Sequence, residues 1–119
     1  MNKKTYSIEK LIDDVIMPVI AYSGEAKSFL REALEHAKIG NYDKSKEIIE
    51  ESKKSLEKAH EAHRHVIQYS TTNPDNIKIP FILIHAEDHL MSTMSELNIF
   101  EELIGLYKIT NEFIKKEKK

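Results

Sequence analysis

From Leu83 to Tyr107 the chain repeats a mostly apolar residue at alternating steps of three and four: Leu83, Ala86, Leu90, Thr93, Leu97, Phe100, Ile104 and Tyr107. That spacing keeps the side chains on one stripe of an α-helix, whereas a half-buried strand would alternate every second residue. A stripe sustained over more than three heptads needs facing helices to cover it. With only three glycines and three prolines in 119 residues, 40% hydrophobic and 32% charged, the composition is that of a helical domain with charged outer faces. The length suits one domain, 1–119, large enough for a core yet small enough to gain from association.

Two further helices are predicted ahead of this one. The first spans about 7–39, with Ser7 as its N-cap and a helical spacing through Ile8, Leu11, Ile12, Val15, Ile16, Val19, Ile20, Phe29, Leu30, Ala33, Leu34 and Ala37. Pro18 and Gly24 predict a bend or brief break within it, or a split into a helical pair. Gly40 stops it and Asn41 caps the next helix, about 42–69, whose inner side carries Ile48, Ile49, Ser52, Leu56, Ala59, Ala62, His63, Val66 and Ile67. "STTNPDNIKIP" predicts a loop over about 70–79, and Pro80 opens the third helix, about 80–113. The short turn at Gly40 makes the first two helices antiparallel neighbours. The expected fold is therefore all-α, an antiparallel up-down-up bundle of three helices.

Several functions are excluded or left without support. The charge balance of 18 basic to 20 acidic residues offers no single-sign field for nucleic acid or an acidic membrane surface. The lack of cysteine removes disulfides, thiolate metal sites and thiol nucleophiles. No apolar run approaches the roughly 20 residues of a membrane span, and no targeting signal is present, so a soluble intracellular protein is expected. There is no glycine-rich phosphate loop and no nucleophile elbow.

Within the third helix "ILIHAEDHLMST" sets His85, Glu87, Asp88 and His89 among apolar residues. At ~100° per residue, His85 stands about 160° or more from Leu83 and Met94, off the seam. His89 is about 40° from His85 and one turn along, so the two rings can face one small volume. Asp88 lies about 60° from His85 on a second, partly apolar strip with Ile84, Met91 and Ser95, while Glu87 projects about 160° away. Seam and strip together exceed what a lone three-helix domain covers, which predicts packing against copies of itself. A neutral histidine offers a nucleophilic nitrogen, and a second ring can donate to what it receives, so the pair suits group transfer. The alternatives are an incidental structural pair and a shared zinc ion, although "HAEDH" is not the zinc-protease His-Glu-x-x-His pattern. "AHEAHRH" adds His60, His63 and His65, read as exposed histidines of a charged helix.

"IHAEDHLMST" closely resembles the phosphorylation segment of the lactose/cellobiose-type enzyme IIA proteins of the sugar phosphotransferase system, usually His-Ala-Gln-Asp-His-Leu-Met. "AYSGEAKSFLREALEHAKIGNYDKSKEIIEESKKSLEKAHEAH" is similar to the same family's passage from first to second helix, so the likeness runs from about Ile16 to Tyr107. It implies a cytoplasmic subunit assembling as a homotrimer through the third helices. It also implies a relay in which phospho-HPr donates to a histidine and the group passes to a cysteine of enzyme IIB, serving disaccharide uptake. By position, His85 is the implied phosphoryl acceptor, His89 the residue stabilising or orienting the phosphate, and Asp88 the ligand of a magnesium ion near the trimer axis. Three carboxylates on an axis would repel, and a divalent cation removes that penalty. Glu87 replaces the family's usual glutamine, and a neighbouring subunit could bring its charge near the phosphate. The competing class is a noncatalytic helical interaction module, or a divergent regulatory relay protein.

Overall fold

A computed structural model describes residues 7–72 and 80–118. Every element among them is helical: α1 (Ile8–Leu11), a π-helical turn (Ile12–Ile16), α2 (Met17–Lys38), α3 (Tyr42–Thr72) and α4 (Phe81–Glu117). The expected loop lies mostly at 73–79, outside the described residues, and α4 runs four residues past the expected end at 113.

Ser7 caps α1 as its spacing predicts, its hydroxyl accepting from the Lys10 amide at 3.2 Å. The interruption that follows sits ahead of Pro18. Proline has no amide hydrogen and its ring crowds the carbonyl four residues back, so the preceding turn widens. Accordingly the Met17 amide bonds the Ile12 carbonyl, five residues away. Gly24, expected to contribute to the break, lies inside the continuous helix α2. Between α2 and α3, Gly40 takes φ +82°; its amide bonds the Ala37 carbonyl at 3.1 Å and the Asn41 amide bonds the His36 carbonyl at 2.9 Å. These two bonds satisfy two of the free carbonyls at the end of α2 in a glycine C-cap.

The contacts of α3 fall in opposite order along its partners. On α2, Ser45 bonds the Ala33 carbonyl at 2.7 Å, Ser52 the Ala26 carbonyl at 2.8 Å and Ser55 the Glu25 carboxylate at 2.9 Å. On α4, the Tyr42 hydroxyl accepts from the Asn111 amide at 2.6 Å, Lys53 pairs with Glu101 at 3.5 Å and His63 meets Glu87 at 3.0 Å. Alanine and serine bring the α2 and α3 backbones close, and each buried hydroxyl at Ser45 and Ser52 meets a carbonyl, avoiding an unsatisfied donor.

The larger core cluster joins Leu11, Val15, Ile16 and Val19 to Leu56, Ala59 and Val66 of α3 and to Leu83, Ala86 and Leu90 of α4. A second, nearer the Gly40 turn, holds Leu30, Ala33, Ile48 and Ile49. Ile67, expected on the inner side of its helix, is exposed, and Ser23, Ser45 and Ser55 are buried without having been marked by hydrophobicity. Along α4 the predicted seam is buried from Leu83 to Thr93 and half-buried from Leu97 to Tyr107. The opposite side leaves Ile84, Met91, Ile99, Leu106, Ile109 and Phe113 exposed, each by more than half.

Gly40→Ala should lower the unfolding free energy by about 1 kcal/mol, because a Cβ is strained in the left-handed region. Denaturant titration checks this, and an unchanged midpoint contradicts the assignment of that turn.

Candidate functional site

The buried residues Leu83, Ala86, Leu90 and Thr93 hold α4 in one rotational setting, which places each polar residue of "HAEDH". His85 is exposed and His89 half-buried, on the flank toward α2, where Glu96 further along pairs with Lys27 at 3.3 Å. The two imidazole centroids are 4.6 Å apart with the rings at 83°, edge to face. The expected pair is thus brought together.

Nδ1 of His89 is buried and meets no hydrogen-bond partner among the described residues. A buried orphan N–H is rarer than an under-used acceptor, which favours the tautomer carrying its hydrogen on Nε2. That tautomer presents Nε2 as a donor. Two hydroxyls hold the backbone of the same residue: the buried Thr93 donates to the His89 carbonyl at 2.6 Å and Ser92 at 3.3 Å.

Asp88 is exposed on the apolar strip between Ile84 and Met91, with no hydrogen bond or ion pair among the described residues. No group of three metal-ligating side chains occurs within one copy's described residues. A single carboxylate offers oxygen donors of the kind magnesium takes.

Glu87 turns away from His85, as the helical rotation predicts. Its partner is in its own chain: Oε1 lies 3.0 Å from Nε2 of His63 on α3. His63, read from the sequence as an exposed surface histidine, is half-buried there and ties α3 to α4 beside the candidate site. The one signal in the sequence was a histidine on the inner side of α3. His63 lines a groove of about 550 Å³ between α3 and α4, together with Leu56, His60, Arg64, Met94 and Leu97 among others. At its far end desolvation pulls the Lys53 ammonium down and the Glu101 and Glu50 carboxylates outweigh it, leaving its pKa above the ordinary lysine value.

Residues 14–108 match the family model of the lactose/cellobiose-specific IIA subunit of the phosphotransferase system. The chain belongs to that family. The lactose-specific EIIA component of Staphylococcus epidermidis is 36% identical over 90 residues, covering 76% of this chain and 86% of the relative. The crystal structure of the cellobiose-specific enzyme IIA from Bacillus anthracis superposes with a TM-score of 0.77 at 32% identity, covering 90% of this chain and 94% of that one. The IIA(Chitobiose) structure of Escherichia coli, solved in complex with HPr, gives 0.66 at 27% identity, covering 89% and 98%. The fold built from α2, α3 and α4 is thus that of solved IIA subunits. Among the described residues no helix is long and apolar enough to cross a membrane.

A double-mutant cycle on His63→Ala and Glu87→Gln, read by denaturant unfolding, should give a coupling of about 0.5 kcal/mol, the scale of a partly exposed ion pair. A coupling of zero contradicts the contact.

Proposed function

We propose that this family member is a phosphocarrier of a disaccharide phosphotransferase system, with His85 as the residue that carries the phosphoryl group. The observation that carries this reading is the edge-to-face pair, an exposed His85 with a second imidazole 4.6 Å away on a rigid helix. The donor would be phospho-HPr and the acceptor the cysteine of the cognate enzyme IIB, both in the cytoplasm. HPr as donor is supported by the HPr complex of the Escherichia coli relative.

In the first step the lone pair of a neutral His85 ring nitrogen attacks phosphorus. A new N–P bond forms as the donor's N–P bond breaks and its electron pair returns to the donor imidazole. In the second, the enzyme IIB thiolate forms an S–P bond while the bond to His85 breaks and its electrons return to the ring. The protein's contribution is positioning and charge stabilisation, which suffice for a loose phosphoryl transition state. Nε2–H of His89 donates to a phosphoryl oxygen as negative charge shifts among the three oxygens.

The chain would work as a homotrimer of up-down-up bundles, with the α4 helices around the threefold axis. Support comes from the opposed order of contacts along the helices and from the exposed line Ile84, Met91, Ile99, Leu106, Ile109 and Phe113, too long for a face left to water. Asp88 falls within that line, so three copies would converge there, and magnesium bound by them would neutralise the carboxylates. A noncatalytic helical module is the competing reading, and the paired imidazoles favour the carrier.

Incubation with phosphoenolpyruvate, enzyme I and HPr should add one phosphoryl mass per chain, and His85→Ala should abolish it. Absence of the added mass in wild type with a competent HPr contradicts the proposal. Light scattering should give a trimer for wild type, retained or strengthened in Asp88→Leu while magnesium binding is lost. A monomeric wild type overturns the axial assignment.

A further inference from the structure

The two flanks of the exposed α4 stripe carry different chemistry. Measured from Ile84, His85 is turned about 100° to one side, toward α2, and Glu87 about 60° to the other, toward α3. The ion pairs agree with this division: Glu96 reaches Lys27 of α2, whereas Glu87 and Glu101 reach His63 and Lys53 of α3. In a closed ring of identical subunits packed through such a stripe, each interface is heterologous, one flank of a helix against the opposite flank of the next. The His85 side of one copy then faces the Glu87 side of its neighbour. We infer, resting on the trimeric phosphocarrier reading above, that the His63–Glu87 pair is a positioning element for the phosphoryl site of the adjacent subunit.

The chemistry of the pair gives it a task. A carboxylate near an incoming phosphoryl group opposes transfer, and position 87 of this chain carries one. His63 holds that carboxylate at 3.0 Å, on the flank of α4 toward α3, through a hydrogen bond from Nε2–H. Glu87 is close to half exposed, its side chain at 46%, and His63 is the one ion-pair partner that holds it to that side among the described residues. His63 thus keeps a negative group directed into its own chain and away from the neighbour's His85.

Mixed trimers test this. His85-competent chains carrying an affinity tag are exchanged with a large excess of His85→Ala chains, so that recovered trimers hold mostly one working site. With His63→Ala placed on the His85→Ala chains, phosphoryl uptake from phospho-HPr should slow by about tenfold, the scale of one surface charge repositioned by a few ångströms. With His63→Ala on the competent chain instead, the rate should equal that of trimers without it. Adding Glu87→Gln to the His63→Ala, His85→Ala chains should restore the rate, since the freed charge is gone. An unchanged rate in the first arrangement, slowing confined to the second, or failure of Glu87→Gln to rescue each overturns the inference. Failure of the parent reading looks different: wild-type chains then take up no phosphoryl group or run as monomers.

Discussion

Leu83, Ala86 and Leu90 pack α4 into one core with Leu11, Val15 and Ile16, with Val19 and Ala26 of α2 and with Leu56, Ala59 and Val66 of α3, the buried Thr93 continues their face, and that packing fixes the rotation of a helix whose other residues are polar, apolar or ionisable by turns. Full burial of Leu90 alone is worth about 2 kcal/mol. Turning the helix by one residue would bring Met91, Glu87 or Ile84 inward and expose the seam. Because the seam is locked, His85 and His89 share one flank, Asp88 faces outward, and Glu87 is left within reach of α3.

The serine-rich contact between α2 and α3 gives the seam something firm to pack on. Ser45 and Ser52 place small side chains where the backbones approach, and their hydroxyls bond carbonyls of the facing helix. The pairing is directional, so it also fixes the register of α3 against α2. In turn that register sets the height of His63, which is what allows the contact to Glu87. Family membership then gives the exposed imidazole its chemical context, since the relatives are components of sugar phosphotransferase systems.

Features governed by spacing along one helix were legible in the sequence. The seam from Leu83 to Tyr107, the Ser7 cap, the Gly40 turn and the facing of His85 and His89 all follow from local rotation and local hydrogen bonding. Features decided between helices were not. Nothing in "AHEAHRH" says that His63 meets an acid 24 positions later, because that depends on the relative height of α3 and α4. The buried serines were similarly hidden: a serine on a charged helix reads as solvent-facing until its carbonyl partner on α2 is known. Pro18 announced a disturbance, but whether the chain would kink, break or widen into a π-turn depended on how Leu11, Val15 and Ile16 could all stay in the core. Gly24 misled because a missing side chain matters only where the backbone needs unusual dihedrals or close approach, and there it needs neither.

The central claim is that the rotation of α4 singles out one imidazole among the chain's six histidines as carrier and a second as its supporting donor. Nitrogen-15 and phosphorus-31 NMR of the imidazole rings, recorded before and after phosphorylation by HPr, tests it most directly. The account requires nitrogen–phosphorus coupling at His85 alone, with a change at His89 Nε2 and His36, His60 and His65 unmoved. Coupling at any other histidine, or a phosphorylated His85 that leaves His89 unperturbed, would contradict it.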